Sequence, residues 1–63
     1  MINIFEYHFI VTKGDMYRND LTAKNYIIKA KSDRGAWFIA TSLAHDDINR
    51  NEHIEKIELI EVD

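Results

Sequence analysis

Apolar and polar residues alternate along the first segment of the chain, from Ile2 to Thr12, with Phe5, Tyr7, Phe9 and Val11 on one side and Ile4, Glu6, His8 and Ile10 on the other. A period of two is that of a β-strand, whose successive side chains point to opposite faces. The first set makes an aromatic face suited to a core. The second is mixed rather than polar, which predicts a central strand whose other side is partly shielded by a loop or a second protomer. Lys13-Gly14-Asp15 has turn chemistry, because Gly tolerates positive φ and Asp can bond the backbone that follows it. Met16 to Leu21 keeps no period and is expected as a loop or irregular edge. Alternation returns at Lys24, with Tyr26, Ile28 and Ala30 inward and Ile27, Lys29 and Lys31 outward, the pattern of an edge strand guarded by lysines.

Ser32 then offers an N-cap oxygen and Asp33 a first-turn carboxylate, and the period changes to that of a helix. Over residues 33 to 45 it collects Ala36, Ala40, Leu43, Ala44 and Trp37 on one side, with Ile39 at the margin. Phe38 falls nearly opposite, beside Arg34, Ser42 and His45. The helix is predicted to end near Ala44 or His45, with Gly35 tolerated in its first turn, and residues 46 to 53 form a polar return loop. The last stretch is ambiguous: Ile54, Ile57 and Ile60 have helical spacing, whereas Ile57/Leu59 and Ile60/Val62 alternate as in a strand. A strand with a bulge near Leu59-Ile60 reconciles the two, since a bulge moves the inward set by one residue.

These elements predict a single α+β domain over residues 1–63: a β-β-α-β chain with a three-stranded, mainly antiparallel sheet in the order 2-1-3. The helix makes a right-handed crossover between two parallel edge strands and packs Ala36, Ala40 and Leu43 on the aromatic face. A free edge on either outer strand is open to a partner's strand or to a second copy. A chain of 63 residues buries only about 60% of its unfolded surface, so association would add to a marginal stability.

Charge divides the chain. Residues 1–34 carry six Lys/Arg against four Asp/Glu, and residues 35–63 two against seven, so the halves stand at +2 and −5. Asp46, Asp47, Glu52, Glu55, Glu58, Glu61 and Asp63 repel phosphate, while a basic protein partner is permitted and a purely solvating role needs no partner at all. The chain has no cysteine, which excludes disulfides and thiolate metal sites. No segment has a signal-peptide pattern or the length of a membrane span, so a cytoplasmic protein without membrane contact is expected.

Chemistry is thinly represented. His8, His45 and His53 lie in separate elements with no nucleophile motif beside them, so no enzyme class is indicated. His45, Asp46, Asp47 and His53 have ligand chemistry but no recognised spacing, so no metal and no cofactor is expected. Gly14 and Gly35 are isolated and form no phosphate loop. Lys13, Arg18, Lys24, Lys29, Lys31 and Arg34 interleave with Tyr7, Tyr17 and Tyr26, which could serve a single-stranded nucleic acid. Tyr7 and Tyr26 are more economically core residues, so nucleic acid is disfavoured as a partner.

Protein binding remains. The stretch Tyr26-Ile-Ile-Lys-Ala-Lys-Ser32, the helix spaced by Ala36, Ala40 and Ala44 and the acidic strand Ile57-Glu-Leu-Ile-Glu-Val62 together resemble the tiny strand-helix-strand proteins encoded by bacteriophages. The resemblance implies a stoichiometric inhibitor or mimic acting in the host cytoplasm on bacterial machinery such as restriction, CRISPR or toxin-antitoxin systems. The residues themselves nominate the contacts: Phe38, Arg34, Ser42 and His45 on the helix, with Met16, Tyr17 and Arg18 in the loop, because aromatics and arginine are the usual anchors of an interface. The alternatives are a nucleic-acid accessory protein using the Lys-rich N-terminal half and a homodimer that buries Phe38 between two helices.

Overall fold

The central strand outlasts its apolar pattern. In the computed structural model, which describes residues 3–63, strand β1 spans Phe5–Asp15 and strand β2 spans Leu21–Ala30. The expected strand start at Ile2 lies outside the described residues. The two strands pair antiparallel without interruption from Phe5↔Ala30 to Gly14↔Leu21. Helix α1, Asp33–Asp46, leads to strand β3, Glu52–Val62, which pairs antiparallel with the other side of β1. The sheet order is β2-β1-β3, so the β-β-α-β, α+β architecture read from the sequence is the one observed.

The hairpin is longer than the alternation implied. Lys13, Gly14 and Asp15 belong to β1, and Gly14 does not have positive φ. The reversal falls at residues 16–20, where the Asp15 carboxylate accepts hydrogen bonds from the backbone N–H groups of Tyr17 and Arg18, at 2.8 and 3.2 Å, and Asn19 takes the left-handed conformation at φ 57°. That is an Asx-type turn, with Asn in a conformation it tolerates well. Gly14 serves a close approach instead: a methyl group there would meet the His53 ring at 2.8 Å.

Alternation stops at Thr12 because the helix stops. Fourteen residues at about 1.5 Å each make a helix of roughly 21 Å, whereas eleven strand residues at about 3.3 Å span roughly 36 Å. The helix starts beside the end of β2. Its C-cap, Asp47, meets Lys24 and the Tyr26 hydroxyl, while the Asp47 carbonyl accepts from Lys13 Nζ. Beyond that level the three-stranded sheet runs on to the hairpin tip without a helix over it, in a molecule 49 Å long, and residues 21 to 25 of β2 are exposed on both faces.

Tyr7, Phe9, Val11 and Ile28 fill the covered face, and the helix sets Ala36, Ala40 and Ala44 against it. Tyr26, Ala30, Ile57 and Leu59 close its margins, and Trp37 meets Phe9 edge to face at 4.9 Å. The expected core contact at Leu43 is not made; that side chain is 41% exposed and Ala44 is buried instead. Three alanines four residues apart form a flat stripe that lets the helix lie close to the aromatic rings, and larger residues beside the stripe are forced outward. Ser32 caps the helix by accepting from the Gly35 N–H at 3.2 Å, as its position predicts.

Strand β3 follows β1 through two register shifts. One leaves Ile60 unpaired between Leu59, opposite Phe9, and Glu61, opposite His8; the other leaves Glu55 unpaired between Lys56 and Ile54. The first is the bulge expected near Leu59-Ile60. Among the described residues no helix is long and apolar enough to cross a membrane.

Candidate functional site

An amphipathic helix ordinarily turns its polar side to water. Here the only residues α1 buries are alanines, and Trp37, Phe38, Ile39 and Leu43 all remain on the surface. Phe38 is 74% exposed, as the sequence places it, and Arg34, Ser42 and His45 are exposed along the same outward stripe. At helical rise this stripe runs about 16 Å from Arg34 to His45. Periodicity alone foresaw Phe38. Leu43 had been assigned to the core, and its exposure follows from the closeness of the alanine stripe to the sheet, whereas Trp37, on the inward side as read, keeps its edge-to-face contact with Phe9.

Met16, Tyr17 and Arg18 occupy the tip of the hairpin, where Tyr17 is 82% exposed. The tip is nonetheless shaped. Backbone hydrogen bonds from Tyr17 and then Arg18, together with one from the Asn51 amide, hold the Asp15 carboxyl below its ordinary value. The Met16 N–H donates to the Asn51 carbonyl at 2.8 Å, which fastens the tip to the connection between α1 and β3. The helix stripe and the hairpin tip are thus separate exposed regions arranged along the long axis. They do not converge on one pocket.

The helix is secured between them by Asp47. Lys24 donates to its carboxylate and so does the Tyr26 hydroxyl, and these two contacts hold the Asp47 carboxyl below its ordinary value. The Tyr26 phenol is pushed up by burial and by the same carboxylate. Asp47 therefore belongs to the scaffold, and His53 lies against Glu55 in β3, so the His45, Asp46, Asp47 and His53 set is not assembled.

A cavity of about 380 Å³ lies beside the hairpin tip, lined by Gly14, Asp15, Asn19, Asp20, Leu21, His53 and Glu55. It holds an imidazole and carboxylates but no hydroxyl or thiol nucleophile. Its position beside exposed Leu21 makes it an extension of the tip surface. Comparison with protein-family models, curated proteins and solved structures finds no match to this chain.

Proposed function

We propose that this chain is a small non-enzymatic binding protein that occludes a surface on another protein. The observation that carries the reading is Phe38: a phenylalanine 74% exposed on a helix whose shape already satisfies its sheet. Aromatic residues in the centre of an exposed face are the commonest energetic anchors of protein interfaces, and the neighbouring Arg34 is of the other favoured type. Trp37, Ile39 and Leu43 widen the apolar area around it, and Tyr17 and Met16 extend the contact toward the hairpin tip. The resemblance to phage-encoded inhibitors directs the search toward bacterial host proteins.

The test is a pull-down from bacterial lysate with the native chain and with Phe38→Ala, followed by identification of the protein and nucleic acid recovered. One protein retained by the native chain and lost from the variant is the expected result. Phe38 contributes nothing to the free fold in this reading, so the variant's melting temperature should match the native one. A large drop, or recovery of nucleic acid or of the chain alone, would overturn the proposal.

A further inference from the structure

Glu6 and Asp63 are direct cross-strand neighbours. The Glu6 N–H donates to the Asp63 carbonyl at 2.9 Å and the Asp63 N–H to the Glu6 carbonyl at 2.8 Å, so the two carboxylates rise side by side on the uncovered face of the sheet. Like charges placed opposite one another in an antiparallel pair are destabilising. His8, two residues along β1 on the same face, leans back between them: its Nε2 lies 3.2 Å from Asp63 Oδ2 and 3.8 Å from Glu6 Oε1. That nitrogen is enclosed by protein and makes no hydrogen bond, although the ring as a whole is a quarter exposed. The three donor atoms all lie within 4.8 Å of one another.

The bulge at Ile60 creates this arrangement. Without it, the pairing of Leu59 with Phe9 would run on to set Ile60 opposite His8 and Val62 opposite Glu6, and Glu61 and Asp63 would point into the covered face. With it, Val62 faces inward opposite Tyr7, while Glu61 stands opposite His8 and Asp63 opposite Glu6. One unpaired residue thus gathers three carboxylates around one imidazole.

We propose that Glu6, His8 and Asp63 form a binding site for a first-row divalent cation, with zinc the ion that best suits the donors. Zinc bonded at about 2.0–2.2 Å to nitrogen and oxygen sets its ligands roughly 3 to 3.5 Å apart, and the His8 Nε2 stands 3.2 and 3.8 Å from the two carboxylates, so a small inward shift of the exposed carboxylates completes the geometry. One imidazole with two carboxylates, and no thiolate, suits such an ion better than a copper(I) or a calcium ion. Three protein ligands leave the remaining position to water or to Glu61 across the strand. Lys29, opposite Glu6 on β2, is the cation that competes for this cluster. Bound metal would neutralise the opposed carboxylates and fasten the end of β3 to β1.

The test uses the full chain without a histidine tag, titrated with zinc chloride by calorimetry and by NMR of the backbone and histidine ring signals. One saturable site is expected, with the shifts centred on His8, Glu6 and Asp63 and with the melting temperature raised by zinc. His8→Ala and Asp63→Asn should each weaken binding about tenfold or more, the range in which even supporting residues of metal sites act. Asp63 is largely exposed, so its variant remains folded and decides the matter if His8→Ala does not. His53→Ala should retain full affinity. Zinc binding that survives both variants, or that is lost with His53, would overturn the proposal, as would the absence of any heat or shift.

Discussion

β2 and β3 flank the same central strand and face the same hazard, a row of unpaired backbone groups that invites another strand, yet they meet it differently. β2 pairs in one unbroken register and carries Lys24 and Lys29, so its edge is straight and basic. β3 pairs through two bulges and carries Glu52, Glu55, Glu58 and Glu61, so its edge is irregular and acidic. The charge division of the sequence thereby becomes a charge axis across the sheet. A regular edge depends on side-chain charge alone for its protection. A bulged edge is protected by its backbone, and the same bulge chooses which side chains face the core.

Phe9 stands opposite Tyr26 on one edge and Leu59 on the other, so it anchors both. Phe9→Ala should cost about 3–5 kcal/mol, comparable with the whole stability of a domain this small. Chemical denaturation followed by circular dichroism would measure it, and a loss under about 1 kcal/mol would mean that the two edges do not share one core.

Removing a single residue from each edge sharpens the contrast. Deletion of Ile27 from regular β2 moves every residue on one side of the cut to the other face and should unfold the chain. Deletion of Ile60 instead leaves Val62 opposite Tyr7 and Asp63 opposite Glu6, so stability should change by only about 1 kcal/mol. The straightened β3 should self-associate more readily in light scattering. Equal damage from both deletions would refute the bulge's role.

A smaller effect is expected from replacing Lys24 and Lys29 together by threonine. The variant should fold but form larger species with rising concentration, because β2 loses its only charges. Replacing Glu55 and Glu58 on the bulged edge should leave the chain dispersed.

Acid should loosen the β2 side through Asp47. Its carboxyl is held below the ordinary 3.8 by Lys24 and Tyr26. A folded value lower than the unfolded one gives stability that is whole above the unfolded value and is lost as pH falls through the folded one. Asp47→Asn should therefore melt lower than the native chain at neutral pH and converge with it in acid. Asp15→Asn should behave likewise but more weakly, since its amide oxygen still accepts from the Tyr17 and Arg18 N–H groups while the charge and the acceptor for the Asn51 amide are lost.

The smallest effect is expected at Gly14. An added methyl group meets the His53 ring and, at 3.3 Å, the Glu55 carboxylate, two half-exposed side chains that can swing into solvent. Gly14→Ala should leave the melting temperature nearly unchanged while the His53 ring signals shift in NMR. Unfolding would show that His53 is fixed in place.

Much of the fold was legible because it is written in local signals. Ser32, the tyrosine and phenylalanine alternation and the broken pattern at Leu59-Ile60 each specify their own surroundings. The hairpin's true length was hidden, because residues 21 to 25 of β2 face water on both sides and carry no period. Leu43 was misplaced because periodicity gives direction and not distance, and only the packing of the alanines shows how near the helix lies. Phe38 was found by the same directional argument. Glu6, His8 and Asp63 could not be found that way, since their meeting depends on which register β3 adopts across the sheet.

The bare stretch of hairpin has its own consequence in time. There β1 still lies between two partners, but β2 has no covering helix and is held by its ladder to β1 alone. Amide hydrogens from Tyr17 to Lys24 should exchange with solvent long before those of Tyr7, Phe9 and Ile28, and a protease should nick the chain first near Tyr17. The molecule is in effect a helix-covered block with an open end, and the turn from Tyr17 to Asp20 can adjust to a partner's contour without disturbing the block.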